Sequence, residues 1–517
     1  MFSGLLTATV FLPAAAAIVI AVIARSDRMV RWAAIGATMV TFVLSLVIFL
    51  RYDTSAGGVQ MVDLFSGWIP GQAIKAQYLL GVDGLSAPLV LLTGLLGMSA
   101  AMASWRITLR VREYFFWLLL LETAVMGVFV SLDLLLFFVF FEFELVPMYM
   151  LISIWGSGRK AYSAMKFVIF TLAGGAFMLV AILMLFLSGP VDTLAMVSIP
   201  DAGIVGIPDV IAGAALVAPA ALIFAFFLVA FAIKLPLWPL HNWLPDAHTD
   251  APTAASVMLA GVLLKMGGYG LLRINVGMFP EQIHLFAGVL VALGVIGVLY
   301  GALVTLRQTD LKRLIAYSSV SHMGLVLLGI GSVGLATGQV TTTGLSGAAM
   351  QLFTHGTITG LLFLGVGLIY EKAHTRYIPD LGGLANRMPL VAAALLIAGL
   401  ASLGLPGLSG FVSEILVFFG AFPAYPWPTV LAVLGIILAA GYILWMFQRT
   451  LFGPGREQLN HLTDASLVEA LPLALMIISI VAIGVYPALL TEVFKAGLEP
   501  MAAAINEALG QPAVAGR

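Results

Sequence analysis

Long stretches of this chain carry no Asp, Glu, Lys or Arg, and this feature most limits what the chain can fold into. Three such stretches are residues 210–233, 314–370 and 388–413. Over the whole chain 61% of residues are apolar and 9% are charged, against about 45–50% and about 25% in soluble domains. Since about 20 apolar residues form one helix that crosses a bilayer, the sequence excludes a soluble domain and predicts a helical membrane bundle.

Hydrophobic runs between charges and turn residues predict an all-α integral membrane protein with about 14 transmembrane helices. Basic residues follow the first run instead of preceding it, an order that suits a first spanning helix and not a cleaved signal peptide. The predicted helices are 3–24, 30–51, 83–104, 113–131, 133–155, 163–188, 211–239, 252–272, 283–306, 312–333, 344–370, 388–421, 427–448 and 466–491.

Orientation can be predicted from Lys and Arg, which concentrate in cytoplasmic loops. With both termini outside, the inner loops would hold Arg25, Arg28, Arg31, Arg106, Arg110, Arg112, Arg159, Lys160, Lys166, Arg307, Lys312, Arg313, Lys372, Arg376, Arg387, Arg449 and Arg456. The outer side would hold Arg51, Lys75, Arg273, Lys495 and Arg517. This imbalance favours an N-terminus and a C-terminus outside.

Several ionisable residues fall inside predicted helices, where a charge is costly and therefore indicates function. Lys234 follows residues 210–233 and is itself followed by Pro236 and Pro239, which break the helix. Glu414 likewise follows the Pro- and Gly-containing run 403–410. The candidate site residues are Glu122, Glu144, Lys234, Lys265, His322, His355 and Glu414.

Glu142 lies two residues before Glu144, and helix geometry separates them. Two residues along an α-helix turn the side chain by about 200°. We therefore expect Glu144 to face Lys234, and Glu142 to face a different helix or a neighbouring subunit with its own hydrogen-bond partner.

The spacing of these positions predicts two inverted repeats. The spacing from Glu144 to His322 along the sequence is nearly the same as the spacing from Lys234 to Glu414. This equal spacing pairs predicted helix 5 with 10 and helix 7 with 12. An odd shift of five helices inverts the topology, and broken helices in such repeats mark ion sites near mid-membrane. The predicted units are 1–112 (helices 1–3), 113–273 (first repeat), 274–451 (second repeat) and 452–517 (helix 14 and tail).

Other interpretations of single residues were weighed. Any one buried Lys or Glu could be a static ion pair, and a lone buried His is more often a packing residue; the whole set makes that account improbable.

His241 and His248 could be a metal pair, but their Pro-rich turn favours a loop contact. The match to GxGxxG at Gly329 ends a helix and follows no strand, so it does not indicate dinucleotide binding. Gly356 and Gly360 most simply indicate close helix packing.

Composition also limits cofactors and partners. The chain has no cysteine and a net charge of −1. Cysteine-ligated iron–sulfur clusters are therefore excluded from this chain, and no nucleic-acid partner is expected. We predict no cofactor and no metal in the chain.

Three long motifs carry a family resemblance. The run Ile233-Lys-Leu-Pro-Leu-Trp-Pro-Leu-His-Asn-Trp-Leu-Pro-Asp-Ala-His, the run Thr309-Asp-Leu-Lys-Arg-Leu-Ile-Ala-Tyr-Ser, and Phe141-Glu-Phe-Glu-Leu-Val-Pro-Met resemble the antiporter-like membrane subunits of respiratory complex I. A glutamate at 414, where the L and N chains carry lysine, is most similar to the M-chain branch. The residues after 491 are not long or apolar enough for the extra terminal helices of the L branch.

The resemblance implies a proton-translocating role in a bacterial-type plasma membrane. In this family the matching residues imply that Glu144 pairs with Lys234, Lys265 passes protons on, His322 and His355 lie on a hydrated axis, Glu414 is the exit group, and Glu122 supports coupling to a neighbouring subunit. The implied partners are other membrane and hydrophilic subunits of the complex, which hold the redox centres, and the lipid bilayer. Alternatives are a subunit of a multisubunit cation/proton antiporter or membrane-bound hydrogenase, or a structural scaffold.

Overall fold

The fold is described by a computed structural model for residues 3–65, 68–69, 76–188, 191, 193–211, 214–334 and 339–511. The α-helices are α1 (Leu5–Ile23), α2 (Asp27–Arg51), α3 (Ser86–Ala103), α4 (Val111–Val130), α5 (Leu134–Phe143), α6 (Leu145–Trp155), α7 (Lys160–Phe186), α8 (Ile207–Ile211), α9 (Ala220–Lys234), α10 (Trp243–Asp250), α11 (Thr253–Met258), α12 (Leu264–Gly270), α13 (Pro280–Leu306), α14 (Leu311–Gly331), α15 (Thr343–Ala373), α16 (Leu384–Arg387), α17 (Pro389–Ser402), α18 (Ser409–Ala421), α19 (Pro426–Thr450), α20 (Leu467–Val485) and α21 (Ala488–Ala508).

Smaller elements complete the chain. Two π-helical segments, Leu259–Leu263 and Leu271–Val276, extend α11 and α12 into one continuous helical rod, Thr253–Val276. Strands β1 (Gln60–Phe65) and β2 (Tyr78–Val82) form an antiparallel hairpin that the sequence analysis did not predict. Short 3-10 helices lie at Pro200–Ala202, Ile378–Asp380 and Glu457–Leu459.

The prediction of an all-α integral membrane protein is confirmed. Within the described ranges, 12 helical segments are long and apolar enough to cross a membrane, and α9, α17 and α18 are shorter apolar helices. The count of about 14, the inverted repeats and the four predicted units remain predictions. Lys75 and Arg517, which the orientation argument used, lie outside the described residues.

Two predicted helices have different limits in the structure. The predicted helix 211–239 is shorter, because α9 begins after Pro219 and ends at Lys234. The predicted helix 133–155 is interrupted at Glu144, between α5 and α6. Proline has no N–H to donate to the carbonyl four residues earlier, and Pro147 stands four residues after Phe143, the last residue of α5.

The break in the predicted helix 388–421 is present. Residues 403–408 separate α17 from α18, and Gly404 and Gly407 have φ values of 76° and 91° there. This left-handed region carries little steric penalty for glycine. The break places Glu414 in the second turn of α18.

The hairpin anchors the N-terminus of α1. Gly4, the N-cap residue, has no side chain to cap the helix, and the Asp63 carboxylate from β1 takes that role. It accepts hydrogen bonds from the Gly4 and Thr7 backbone N–H groups at 2.7 and 3.0 Å, and from the Ser3 and Thr7 hydroxyls, both at 2.9 Å. A carboxylate also complements the positive end of the helix dipole.

We expect Asp63→Ala to destabilise the docking of α1 by about 1–2 kcal/mol, the usual value of a lost N-cap. The measurement is thermal unfolding of the purified assembly at pH 7. Burial raises the pKa of Asp63, but the hydrogen bonds from Thr7, Gly4 and Ser3 outweigh it and hold the pKa below its usual range. A lowered carboxyl pKa gives stability that is present at neutral pH and is lost on acidification. The deficit should therefore shrink below about pH 4; a deficit constant down to pH 3 would contradict this assignment.

The last helix, α21, was not predicted, because its charged residues and Pro500 do not form an apolar run that could span the membrane. Tyr486 and Pro487 end the preceding helix, and α21 is amphipathic. Its buried face carries Leu490, Val493, Phe494, Gly497, Leu498, Met501, Ala502, Ile505 and Asn506, which follow the i, i+3, i+4 spacing of a helix that packs on one side. It packs against α3, α13 and α15.

Helix α15 lies in the interior of the bundle. Its spanning window is buried along its whole length, as is that of the 253–276 rod, whereas α1, α2, α7, α19 and α20 keep exposed apolar faces. It contacts α3, α11, α12, α14, α17, α18 and α20. The interior of the bundle is therefore built around α15, and the outer helices present the apolar surface that lipid requires.

Candidate functional site: a row of buried ionisable side chains

The first pair in the row is Glu144 and Lys234. Glu144 lies at the interruption between α5 and α6, Lys234 is the last residue of α9, and both are buried, with 0% and 1% exposure. The ammonium contacts the Glu144 carboxylate directly. It also faces the rings of Phe141 and Phe167, at 5.1 and 5.6 Å. An ion pair among aromatic rings gains from weak screening and from cation–π attraction.

The break after Lys234 keeps its backbone satisfied. The Trp243 indole N–H of α10 donates to the carbonyl of Ile233 at 3.0 Å, and the Leu237 N–H donates to the carbonyl of Ala232. Unpaired carbonyls inside a membrane would cost several kcal/mol each. The tryptophan therefore makes it possible for α9 to end beside Lys234.

The second carboxylate of this region belongs to Glu142. Its carboxylate packs against Gly175 of α7, which agrees with a different helix. Its Oε1 atom has no hydrogen-bond partner among the described residues, so the expected separate partner, on another helix or on a neighbouring subunit, remains a prediction. The carboxylate also lies within electrostatic range of Lys234. Lys234 therefore faces two acidic groups.

The second pair is Lys265 and His355. Lys265 follows the π-helical segment 259–263, and its amine contacts the Ala260 carbonyl within that segment. The Lys265 Nζ atom lies 2.8 Å from His355 Nδ1. Both side chains are buried, and either nitrogen can hold the shared proton.

Glycines bring the relevant helices close enough for these contacts. A Cβ on Gly356 of α15 would fall 2.7 Å from the Gly261 carbonyl of the rod, and a Cβ on Gly267 would fall 2.6 Å from the Leu235 nitrogen. The first contact is the close helix packing that the GxxxG pattern predicts. The second places the backbone beside Lys265 against the backbone beside Lys234.

The third pair is His322 and Glu414. The rings of His355 and His322 lie 5.3 Å apart, and His322 Nδ1 lies 3.6 Å from Glu414 Oε1. His322 Nε2 faces the Ser402 hydroxyl at 3.1 Å. Both His322 and Glu414 line a cavity of about 10 Å³, approximately the room that one water needs.

Glu122 stands apart from these contacts. It is buried in α4 against Gly97 of α3, and neither carboxylate oxygen has a hydrogen-bond partner among the described residues. Its supporting role therefore remains a prediction. His241 packs on Tyr300 with ring centres 5.1 Å apart, and His248 stacks on Phe363 at 4.7 Å, so each contacts an aromatic ring.

Two basic residues that the orientation argument placed in loops have buried side chains instead. Arg273 lies in the rod, where its guanidinium makes two 2.6 Å contacts with the Asp83 carboxylate and donates to the Tyr269 hydroxyl at 3.1 Å. The Lys312 ammonium donates to the Ala251 carbonyl at 2.7 Å. Charge counting along a sequence could not reveal these partners, because they come from distant segments.

The two carboxylates near Lys234 give a direct test. The family resemblance implies proton pumping by an assembled complex, and we expect Glu144→Gln to lower it at least ten-fold, because Lys234 loses its contacting partner. Glu142→Gln should cause a smaller loss, since its carboxylate acts on Lys234 without a direct contact. The measurement is NADH-driven acidification of vesicles, normalised to assembled complex. A more severe Glu142→Gln variant would assign the functional contact to Glu142.

This chain is similar to known proteins in both sequence and fold. The profile of the family described as NADH:quinone oxidoreductase/Mrp antiporter, transmembrane, matches residues 131–439. NADH-quinone oxidoreductase subunit M of Rhodobacter capsulatus is 42% identical over 500 residues, which cover 95% of this chain and 94% of that protein. This chain belongs to that family.

Further relatives agree with the assignment of the family. NAD(P)H-quinone oxidoreductase chain 4-1 of a Synechocystis strain is 41% identical and covers 95% of this chain and 91% of its own length. A chain of respiratory complex I from Thermus thermophilus has a TM-score of 0.84 at 33% identity, covering 98% of this chain and 100% of that one. A chain of the Mrp complex from a Dietzia strain, at 22% identity and a TM-score of 0.81 over 98% of each chain, shares the fold. The predicted resemblance to antiporter-like subunits is confirmed, and the chain is a multi-pass membrane protein.

Proposed function

We propose that this chain moves protons across a bacterial-type plasma membrane as a subunit of an NADH:quinone oxidoreductase, with redox chemistry in other subunits as the driving reaction. The observation that carries the proposal is the row of buried pairs Glu144–Lys234, Lys265–His355 and His322–Glu414. Each pair joins side chains that can both hold a proton. Buried ionisable groups within membrane helices characteristically form proton relays.

The first pair offers a physical way to load and unload a proton. At 4 Å and an effective dielectric constant of about 20, two opposite charges attract by about 4 kcal/mol. Opening or closing the contact between Glu144 and Lys234 therefore changes the free energy of holding a proton on the lysine by a few kcal/mol. In the proposed sequence the proton passes from Lys234 to Lys265, then through His355 and His322 to Glu414.

Transport against a membrane potential needs an energy source. Moving one charge through 100 mV costs about 2.3 kcal/mol. The chain has no cysteine to hold an iron–sulfur cluster, so we assign electron transfer and its cofactors to neighbouring subunits. The partners we propose are the other membrane subunits, including further antiporter-like chains, and the hydrophilic redox subunits.

Relatives favour this assembly over a cation/proton antiporter. Relatives that cover at least nine-tenths of both chains at 38–42% identity include proteins named as NADH-quinone or NAD(P)H-quinone oxidoreductase subunits. Likeness to the Mrp chain is 22%, a level at which the fold is shared and the activity is not implied.

The experiment is affinity purification of the tagged chain from its own membranes, followed by identification of the co-purified subunits and reconstitution into vesicles. We expect hydrophilic NADH-oxidising subunits and NADH-driven proton uptake or release. Co-purification with membrane antiporter subunits alone, with no NADH oxidation, would contradict the proposal. Protease accessibility of tags at each end tests the prediction that both termini lie outside.

A further inference from the structure

A glutamine lies beside the last step of the row. Gln351 of α15 is 2% exposed, and its side chain stands between His322 of α14 and Ser413 of α18. We propose that the Gln351 amide is a two-position switch that decides whether His322 has a proton to pass to Glu414. The proposal rests on the proposed proton-translocating function and assigns a positioning residue to it.

The hydrogen-bond geometry around the amide is well defined. Gln351 Nε2 lies 3.3 Å from His322 Nδ1, and Gln351 Oε1 accepts a hydrogen bond from the Ser413 hydroxyl. The Ser413 hydroxyl also lies 2.9 Å from the Gly410 carbonyl and 3.0 Å from the Thr354 hydroxyl. The amide therefore has a partner at each end, and Ser413 has a second acceptor within reach.

This arrangement fixes the form of His322. An amide NH₂ group only donates, so the Nδ1 atom that it faces must be an unprotonated acceptor. A neutral imidazole then carries its proton on Nε2, which donates to the Ser402 hydroxyl. Glu414 Oε1 faces Nδ1 at 3.6 Å. In this position of the amide, the histidine nitrogen beside Glu414 has no proton to give, and the transfer is closed.

Rotating the amide by 180° produces the opposite arrangement. Oε1 then faces His322 and accepts a hydrogen bond from Nδ1–H, while Nε2 donates to the Ser413 oxygen. The Ser413 hydroxyl then turns its hydrogen away from Gln351 and donates it to the Gly410 carbonyl instead. When the relay delivers a further proton to His322, the ring becomes an imidazolium with a proton on each nitrogen. Its Nδ1 proton lies beside Glu414 and moves to the carboxylate, which becomes a carboxylic acid, while the ring remains a neutral imidazole with its proton on Nε2.

Both positions satisfy the same polar atoms. The amide's contacts with His322 Nδ1 and with the Ser413 hydroxyl are present in both positions, with donor and acceptor exchanged. The amide takes up and releases no proton itself. Gln351 therefore acts on His322 and not on the transported proton directly.

The test compares two variants with a matched control in the reconstituted complex. Gln351→Met keeps the length of the side chain but removes both hydrogen-bonding groups, and Ser413→Ala removes the partner at the other end. Ser409→Ala is the control, because Ser409 is also buried in α18 and its hydroxyl has no hydrogen-bond partner among the described residues. The readout is the ratio of NADH oxidation rates with and without an uncoupler, which reports how strongly a proton gradient restrains turnover.

Without the Gln351 switch, protons can move back from Glu414 to His322. We expect Gln351→Met and Ser413→Ala to lower the uncoupler ratio at least two-fold, because the rate without uncoupler rises, while Ser409→Ala keeps the wild-type ratio. If Gln351→Met fails to assemble, Ser413→Ala carries the same expectation. An unchanged ratio, or rates that fall equally with and without uncoupler, would overturn the switch. Pumping that survives Lys234→Ala would instead refute the proposed function.

Discussion

Replacing Lys234 with alanine should abolish most coupled proton pumping, with a loss of at least ten-fold per assembled complex. The lysine is the cation of the buried Glu144–Lys234 pair and has the carboxylate of Glu142 within electrostatic range. Alanine cannot carry a proton, so the step from Lys234 to Lys265 has no starting group. The measurement is NADH-driven acidification in vesicles, normalised to the amount of complex.

A loss of assembly must be separated from a loss of transport. Removing one partner of a buried ion pair commonly costs about 3–5 kcal/mol, because the other charge is left without compensation. The double variant Lys234→Ala/Glu144→Gln removes one uncompensated carboxylate and should assemble better, yet it should still not pump. Lys495→Ala, which removes an exposed lysine of α21, should pump normally. Wild-type pumping by an assembled Lys234→Ala complex would show that the buried charges are static ion pairs that only stabilise helix packing.

Glu414→Leu should also lower pumping at least ten-fold, because His322 would lose the acceptor that lies 3.6 Å away. Glu414→Lys should assemble better than Glu414→Leu, since the adjoining cavity has room for about one water, which can solvate a charge. It should still alter proton release, which direct pH measurement on either side of the membrane would reveal. Normal pumping by the leucine variant would make Glu414 a packing residue.

The helices and most of the row could be predicted because each depends on local sequence. Apolar runs fix where spanning helices can lie, and prolines and glycines fix the breaks beside Lys234 and before Glu414. The residue types in the row follow from the cost of a charge in a membrane. These are properties of short segments, and a single sequence displays them.

The parts that were missed depend on contacts between distant segments. Arg273 resembles a loop charge until Asp83 is seen beside it. Gln351 carries no charge, so nothing in the sequence distinguishes it from other polar residues of α15. The π-helical turn before Lys265 has no simple sequence signal. The interruption at Glu144 had a signal in Pro147, three residues later, which the prediction of one continuous helix 133–155 left out.

The packing of α15 has a mechanical consequence. Because α15 contacts helices of both predicted repeats, rocking one repeat against the other would expose apolar surface of α15 that is now buried. Exposing roughly 400 Å² would cost about 10 kcal/mol at 25 cal/mol per Å², while one charge crossing 100 mV returns about 2.3 kcal/mol. The two halves should therefore behave as one rigid block during turnover. Proton movement in such a block depends on rotating side chains and entering water molecules. Inhibitors that bind by separating helices should therefore find little space between them.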